Sequence, residues 1–262
     1  MRILVRGAGD LASGIIYKLV KCGFEVLALE VEHPSSIRRH VSFSEAVYHG
    51  ACQIEDVRAV RVDSVQQAEE IFAMHQAAVM VDPHADILKE QAFDVVVDAI
   101  LAKRNLGTTI DMAPIVIGVG PGFEAGKDCH YVVETKRGHH LGRIYESGCA
   151  IPNTGIPGDI QGFSKERVIH SPCAGTMECV RHIKDIVKKG ETIALVGGQP
   201  VAATMGGLLR GILPDGYPVT KGLKMADIDP RIDQINNCDT ISDKARCIAG
   251  GVLEAIFRGA SI

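Results

Sequence analysis

The 262-residue chain has no tryptophan, only 5% aromatic residues and no excess of basic charge, since 28 Lys+Arg stand against 32 Asp+Glu. Without a basic field or a stacking surface, a nucleic-acid partner is not expected. Long apolar runs are missing too. The longest uncharged stretch, residues 192–209, is interrupted by Gly197, Gly198, Gln199 and Pro200 and reads as a core hairpin rather than a membrane span. Arg6 and Asp10 precede any apolar run that could serve a signal peptide, so the expectations are no membrane and a cytoplasmic location. The eight cysteines include no CxxC pair, which argues against structural zinc and a disulfide framework and suits a reducing compartment. Ser-His-Asp, Walker and clustered Cys/His signatures are likewise absent, so hydrolase, ATPase and metalloenzyme readings are disfavoured and no metal site is expected. What remains is a globular composition, 46% hydrophobic and 23% charged, long enough for one large domain or two ordinary ones.

The first hundred residues alternate between strand and helix signals. Residues 2–6 read as a strand, the glycine turn Gly7-Ala8-Gly9-Asp10-Leu11-Ala12 follows, and Leu11, Ile15, Leu19 and Cys22 mark the buried face of a helix ending at Gly23. A second strand over 25–29 delivers Glu30 about 20 residues past the turn, where an acid meets a ribose hydroxyl in dinucleotide-binding units. Ser42-x-x-Glu45 and Ser64-x-x-Gln67 look like helix caps, and further strands are expected over 58–62, 78–81 and 94–97. Such alternation predicts an α/β fold with a Rossmann-like parallel sheet and a pocket at the carboxyl ends of its strands, beside Gly7, Glu30, Asp63, Asp82 and Asp98. Plain turning by Gly7 and Gly9, and acids that merely solvate strand ends, are the competing readings.

Beyond residue 100 the helical alternation stops. Lys103, Arg104, Asn105, Thr108, Thr109 and Asp111 form a polar run after the last strand that suits an anion or a solvated loop. Residues 115–119 and 130–134 read as strands. His139 and His140 are adjacent and point to opposite sides, which disfavours a shared metal. Cys149 lies in the Pro- and Gly-rich stretch 148–158, and Cys173 follows a strand at a turn; each is a thiol candidate or an inert cysteine.

The C-terminal third carries short strands joined by glycine turns, with Val187-Lys188-Lys189-Gly190 echoed by Val219-Thr220-Lys221-Gly222. It resembles the barrel-sandwich hybrid of biotinyl and lipoyl domains. The hairpin that would present the modified lysine, residues 197–201, contains none, so neither biotin nor lipoate is expected. Asp227-Ile228-Asp229-Pro230-Arg231 suits either an anion-binding arginine or a salt bridge. Ser242 caps a final helix whose face is Ala245, Ile248, Ala249, Val252 and Ile256, and Gly250-Gly251 inside it predicts close packing against another element. The expected organisation is a Rossmann-like domain over 1–100, a glycine-rich β region over 101–165, a barrel-sandwich-hybrid-like domain over 166–232 and a helical segment over 233–262.

The motifs at residues 6–14, 97–105, 118–123, 133–135, 227–231 and 242–246 together resemble the YqeB-type accessory proteins of selenium-dependent molybdenum hydroxylase systems, essentially end to end. That resemblance implies a maturation factor that handles a molybdopterin-type dinucleotide cofactor, or the labile selenium or sulfur on the metal, for a molybdenum hydroxylase subunit. On that reading Gly7, Gly9, Asp10, Leu11 and Ala12 meet the phosphates of a nucleotide-type ligand and Glu30 its ribose or pterin. Asp98, Lys103, Asn105 and Asp111 then close the pocket, and Cys149 or Cys173 supplies a thiol if a chalcogen is transferred. A NAD(P)-dependent oxidoreductase using the same turn, and a non-catalytic scaffold that docks a hydroxylase subunit, are the alternatives. The packed final helix also motivates the expectation of a homodimer.

Overall fold

In the computed structural model, which describes all residues except 156–157 and 261–262, the apolar runs of the first 145 residues become one sheet. Its strands are β1 (Arg2–Arg6), β2 (Glu25–Glu30), β3 (Ala51–Ile54), β4 (Val57–Arg61), β5 (Ala77–Val81), β6 (Val95–Asp98), β7 (Ile115–Val119), β9 (Tyr131–Val133) and β10 (Ile144–Tyr145), with β8 (Glu124–Ala125) standing apart. Their order is β10-β9-β7-β6-β1-β2-β5-β4-β3. The pairs from β9 through β7, β6, β1, β2 and β5 to β4 are parallel, and the two edge pairs, β9 with β10 and β3 with β4, are antiparallel.

Helix α1 (Asp10–Lys21) follows β1, α2 (Glu45–His49) precedes β3, α3 (Val65–Ala73) precedes β5, and α4 (Asp243–Gly259) ends the chain. Ser64 and Ser242 cap α3 and α4 by accepting the Gln67 and Ala245 N–H groups. Helix α2 opens after Ser44, whose side chain makes no cap bond to it, and the Ser42 carbonyl accepts the Glu45 N–H at 3.1 Å. Successive strand residues bury opposite faces of the sheet. Leu4, Leu27, Val96 and Val116 pack with Ala68 and Phe72 of α3 and with Phe93 and Phe123. Ile115 and Val133, on the other face, meet Gly259 and Gly251 of α4. Helices α1 and α4 touch closely, for a Cβ at Gly14 would fall 2.7 Å from the Ala245 Cβ.

The chain divides into unit 1, comprising Met1–Pro34, Ser42–Thr154 and Ile241–Ile262, and unit 2, comprising Ser35–Val41 and Gly155–Thr240. In unit 1 the short pair of β8 with β11 (Gly148–Cys149) lies outside the large sheet. Unit 2 holds β12 (Val168–His170), β13 (Gly175–Cys179), β14 (Ile186–Val187), β15 (Thr192–Val196), β16 (Gln199–Ala202), β17 (Gly207–Ile212), β18 (Pro218–Val219) and β19 (Lys224–Asp229). They form two four-stranded sheets, β12-β19-β17-β14 and β16-β15-β13-β18, every pair antiparallel, around Met177, Ile193, Leu208, Leu209, Met225 and Ile228. The segment Ser35–Val41 joins this core, its Ile37 carbonyl accepting the Ile212 N–H at 2.8 Å. Arg167 and Asp227 form a buried ion pair at 3.1 Å. Arg231 clasps the buried Asp229 carboxylate at 2.7 and 2.9 Å, so the Asp-x-Asp-Pro-Arg run makes salt bridges.

This architecture corrects the fold read from the sequence. An N-terminal Rossmann-like parallel sheet followed by a separate β region with a barrel-sandwich-hybrid part is replaced by a large mixed sheet that the C-terminal helix covers. The middle region lacks helices, yet β7 is buried along its whole length and β9 along most of it, and both extend the sheet through loops and a 3-10 turn at Ile110–Met112. The echo near 187 and 219 lies in the turns: Gly190 and Gly222 adopt φ of +85° and +82°, a requirement of local turn chemistry that carries no information about which strands pair.

Candidate functional site

The sheet grows from β1 toward β2 and β5 on one side and from β6 toward β7 and β9 on the other. The connection therefore reverses between β1 and β6, and parallel sheets open a ligand crevice outside the carboxyl ends of strands at such a point. Gly7 stands there with φ +97°, its N–H donating to the Leu29 carbonyl at 2.7 Å. A Cβ at this position would come within 3.0 Å of the Ala99 carbonyl oxygen, so glycine permits the chain leaving β1 to pass against the chain leaving β6.

Gly9 is the N-cap of α1 and offers no side chain to it, so Asp10, Leu11 and Ala12 open a helix with no side-chain cap. The turn is braced from behind. Ser13 Oγ and the Ser44 N–H both donate to the Ala8 carbonyl, at 3.1 and 2.9 Å, and Ser13 Oγ also accepts the Phe43 N–H at 2.7 Å. Glu30 closes it from below, one carboxylate oxygen accepting the Ala8 N–H at 2.9 Å and the other the Val31 N–H at 3.1 Å. Burial pushes this carboxyl above its ordinary range, against the pull of those two N–H groups. Glu30 thus holds the turn, and a carboxylate has about four acceptor positions, which leaves some for a ligand.

Asp98 anchors the neighbouring loop. Its Oδ2 accepts the Thr108 hydroxyl at 2.6 Å and faces Arg6 Nη1 at 3.4 Å, its Oδ1 accepts the Ile100 N–H at 3.1 Å, and Thr108 Oγ1 accepts a second bond from Arg6. All three side chains are buried, and burial raises the Asp98 carboxyl although Thr108, Ile100 and Arg6 oppose it. Asn105 clamps the same loop, donating to the Thr108 carbonyl and accepting its N–H, each at 2.7 Å. The loop presents Lys103 to solvent at φ +62°. Gly7, Gly9, Glu30, Asp98 and the loop bearing Lys103 and Asn105 therefore meet at one strand edge. Asp111 does not join them: it lines a cleft of about 490 Å³ with Phe93, Pro114 and His130, at the amino ends of β6 and β7.

Cys149 is exposed on β11 in unit 1, and Cys173 is half-buried in unit 2 with its thiol 3.4 Å from the Val196 carbonyl. The loop expected around Cys149 includes 156–157, which lie outside the described residues. Buried Cys129 has its thiol pushed up to about 11 by desolvation. Among the described residues no group of three or more His, Cys, Asp or Glu could hold a metal, and no helix is long and apolar enough to cross a membrane.

Three residues escape sequence reasoning. Arg6 belongs to the buried network with Asp98 and Thr108, and fully buried Glu134 accepts the Thr135, Lys136 and Ile151 N–H groups at 2.7–2.8 Å. The third is Lys244, half-buried at the second position of α4. Burial, then the charge of Arg137, hold its amine below the ordinary lysine range, while Asp10, Glu134 and Asp243 pull the other way. The one available signal was the strand-terminal placing of Arg6 and Glu134, where a charge ends an apolar run.

No family model matches the chain. Solved structures similar to parts of it include an aspartoacylase family protein from Mesorhizobium loti, 12% identical over 87% of this chain and 83% of that one, with a TM-score of 0.27. A succinylglutamate desuccinylase/aspartoacylase from Rhodobacter sphaeroides is 12% identical over 87% of this chain and 84% of that one, also with a TM-score of 0.27. Likeness at that level transfers neither fold nor activity. In sequence, 97% of the chain is 48% identical, over 255 residues, to the protein named "Uncharacterized protein YqeB" of Escherichia coli (strain K12), and the chain spans 47% of that relative's length.

Proposed function

We propose that this chain binds a phosphate-bearing nucleotide ligand at the Gly7-Ala8-Gly9 turn and acts as an accessory factor that handles a molybdopterin-type dinucleotide cofactor for a molybdenum hydroxylase subunit. The observation that carries the ligand is the turn itself. It lies where the strand connections reverse, Gly7 lets the chain leaving β1 pass against the chain leaving β6, and α1 begins without a side-chain cap, so its first N–H groups and its dipole favour an anion. Glu30 fixes the turn and offers its remaining acceptors to a ribose or pterin. The maturation role follows the motif resemblance rather than the geometry, and exposed Cys149 is the thiol better placed to meet a partner if a chalcogen moves on this protein.

The test is native mass spectrometry of protein purified from a molybdenum-replete host, with acid-released small molecules identified, for the wild-type chain and Gly9→Val. A pterin dinucleotide present in the first and lost in the second supports the proposal. Bound NAD(P) with hydride-transfer activity replaces it by the oxidoreductase reading. Retention of the same ligand by Gly9→Val removes the turn as its site.

A further inference from the structure

We infer that the cleft at the amino ends of β6, β7 and β9 is a second binding site, for a small aromatic molecule bearing a cationic amine or amidine and a hydrogen-bond acceptor, with Asp111 taking the cation and His130 the acceptor. It lies at the opposite strand ends from the Gly7-Ala8-Gly9 turn and does not rest on the nucleotide reading. The chain entering these strands, over 88–93 and 110–114 and at His130, leaves a cleft of about 490 Å³, within the roughly 300–1,000 Å³ of small-molecule pockets. Leu88, Phe93, Met112 and Pro114 give it apolar walls, and Pro114 has no backbone N–H to offer a ligand. An apolar, ring-bearing body is what such walls cover well.

Two polar groups select the rest of the ligand. His130 is held by a reciprocal pair with Val116 of β7: its N–H donates to the Val116 carbonyl at 2.8 Å, and its Nδ1 accepts the Val116 N–H at 3.0 Å. An Nδ1 that accepts puts the ring proton on Nε2, so this half-buried ring keeps one donor for the cleft and no acceptor. Asp111 is the one charged side chain among the described lining residues, and its carboxylate has no hydrogen bond or ion pair with any described residue. Gln91 donates its amide nitrogen to the Ala92 carbonyl at 2.9 Å. The cleft is therefore negative at one point, which disfavours anions. An amidine matches both carboxylate oxygens with two charge-assisted N–H bonds, and an acceptor elsewhere on the ligand meets Nε2–H.

The experiment is ligand-observed NMR titration of the full chain with benzamidine, its meta- and para-carboxamides, which add a carbonyl, and benzoate as the opposite charge, for wild type, Asp111→Asn and His130→Asn, with melting curves alongside. Asparagine at 130 still accepts the Val116 N–H through Oδ1 but ends short of the Nε2 position. The amidines are expected to bind wild type and benzoate not to, and Asp111→Asn weakens every amidine by about tenfold. One carboxamide binds wild type at least about threefold tighter than benzamidine and loses that advantage in His130→Asn, with melting unchanged. A wild type that binds no amidine, equal amidine affinity in wild type and Asp111→Asn, or benzoate binding as tight as benzamidine overturns the inference and leaves the nucleotide reading standing. A carboxamide advantage that is absent from wild type or survives His130→Asn overturns the role of His130. If His130→Asn melts lower, the Asp111→Asn comparison, made at an exposed residue, decides by itself.

Discussion

Adjacent glycines in α4 give the sharpest test of the packing. A Cβ at Gly250 would meet only the Lys18 ammonium, at 3.8 Å, whereas one at Gly251 would lie 2.3 Å from the Gly142 carbonyl oxygen and 2.9 Å from Val133 Cγ1. Alanine is favoured over glycine inside a helix by about 1 kcal/mol, and at 250 nothing opposes that gain. Gly250→Ala is therefore expected to stabilise by about 0.5–1 kcal/mol. At 251 the same gain meets a backbone atom that cannot move alone: Gly142 has φ +79° and its N–H donates to the Glu134 carbonyl at 2.9 Å. Overpacking costs about 1–3 kcal/mol, and fixed backbone places this case near the top, so Gly251→Ala should destabilise by about 2 kcal/mol net. The two variants then differ by about 3 kcal/mol, or roughly 6–12 °C in melting temperature at about 2–4 °C per kcal/mol. Thermal and urea unfolding followed by far-ultraviolet circular dichroism reads the difference. If Gly251→Ala proves as stable as Gly250→Ala, the contact between α4 and the Gly138–Gly142 turn is not as described.

Other outcomes follow from the same geometry. Thr108→Val keeps volume but leaves Arg6 and Asp98 each short of a buried partner, and a loss of about 2–4 kcal/mol in urea unfolding is expected; an unchanged midpoint would show that the network contributes little. Because burial raises the Glu30 carboxyl in the folded state, the folded protein holds that proton more tightly than the unfolded chain, so stability is lost as pH rises through the raised value. Unfolding of Glu30→Gln against wild type should accordingly show the variant's relative stability growing from about pH 4 upward, and a flat difference would contradict the raised carboxyl. In unit 2, Arg167→Met leaves Asp227 buried and unpaired and should cost about 3–5 kcal/mol, most of it recovered by adding Asp227→Leu, as unfolding of the single and double variants would reveal. Iodoacetamide at neutral pH should label exposed Cys149 and spare Cys129, buried and pushed up to about 11, until the chain unfolds; mass mapping that finds Cys129 labelled first would overturn this.

Local order was legible in the sequence where a single period or cap decides it. Ile15 and Leu19 on the buried face of α1, the glycine turn and the caps at Ser64 and Ser242 follow from residues within one or two turns of each other, whereas Cys22, read on that same face, lies exposed at the C-cap where the helix has already ended. Glu30 could be placed at the right strand end, but its bond to the Ala8 N–H depends on a turn 22 residues away. The Arg6, Asp98 and Thr108 network joins positions separated by 92 and 102 residues, a distance over which periodicity is silent. Pairing among β6, β7 and β9 fails for the same reason, since a buried parallel strand carries no mark of its neighbour. Gly250-Gly251 illustrates the middle ground: the pair announced close packing, and only the structure assigns it to Gly251.

The course of the chain through its two units has a consequence for biosynthesis. Helix α1 packs against α4, so during translation the first crossover helix emerges long before the helix that shields it. Until then the apolar flank of α1 and one face of β7 and β9 stay open, and the Ser35–Val41 segment awaits strands that are not yet made. Nascent chains stalled before residue 241 should therefore engage chaperones, and shortened expression fragments should aggregate, because neither unit can be cut out as one continuous stretch.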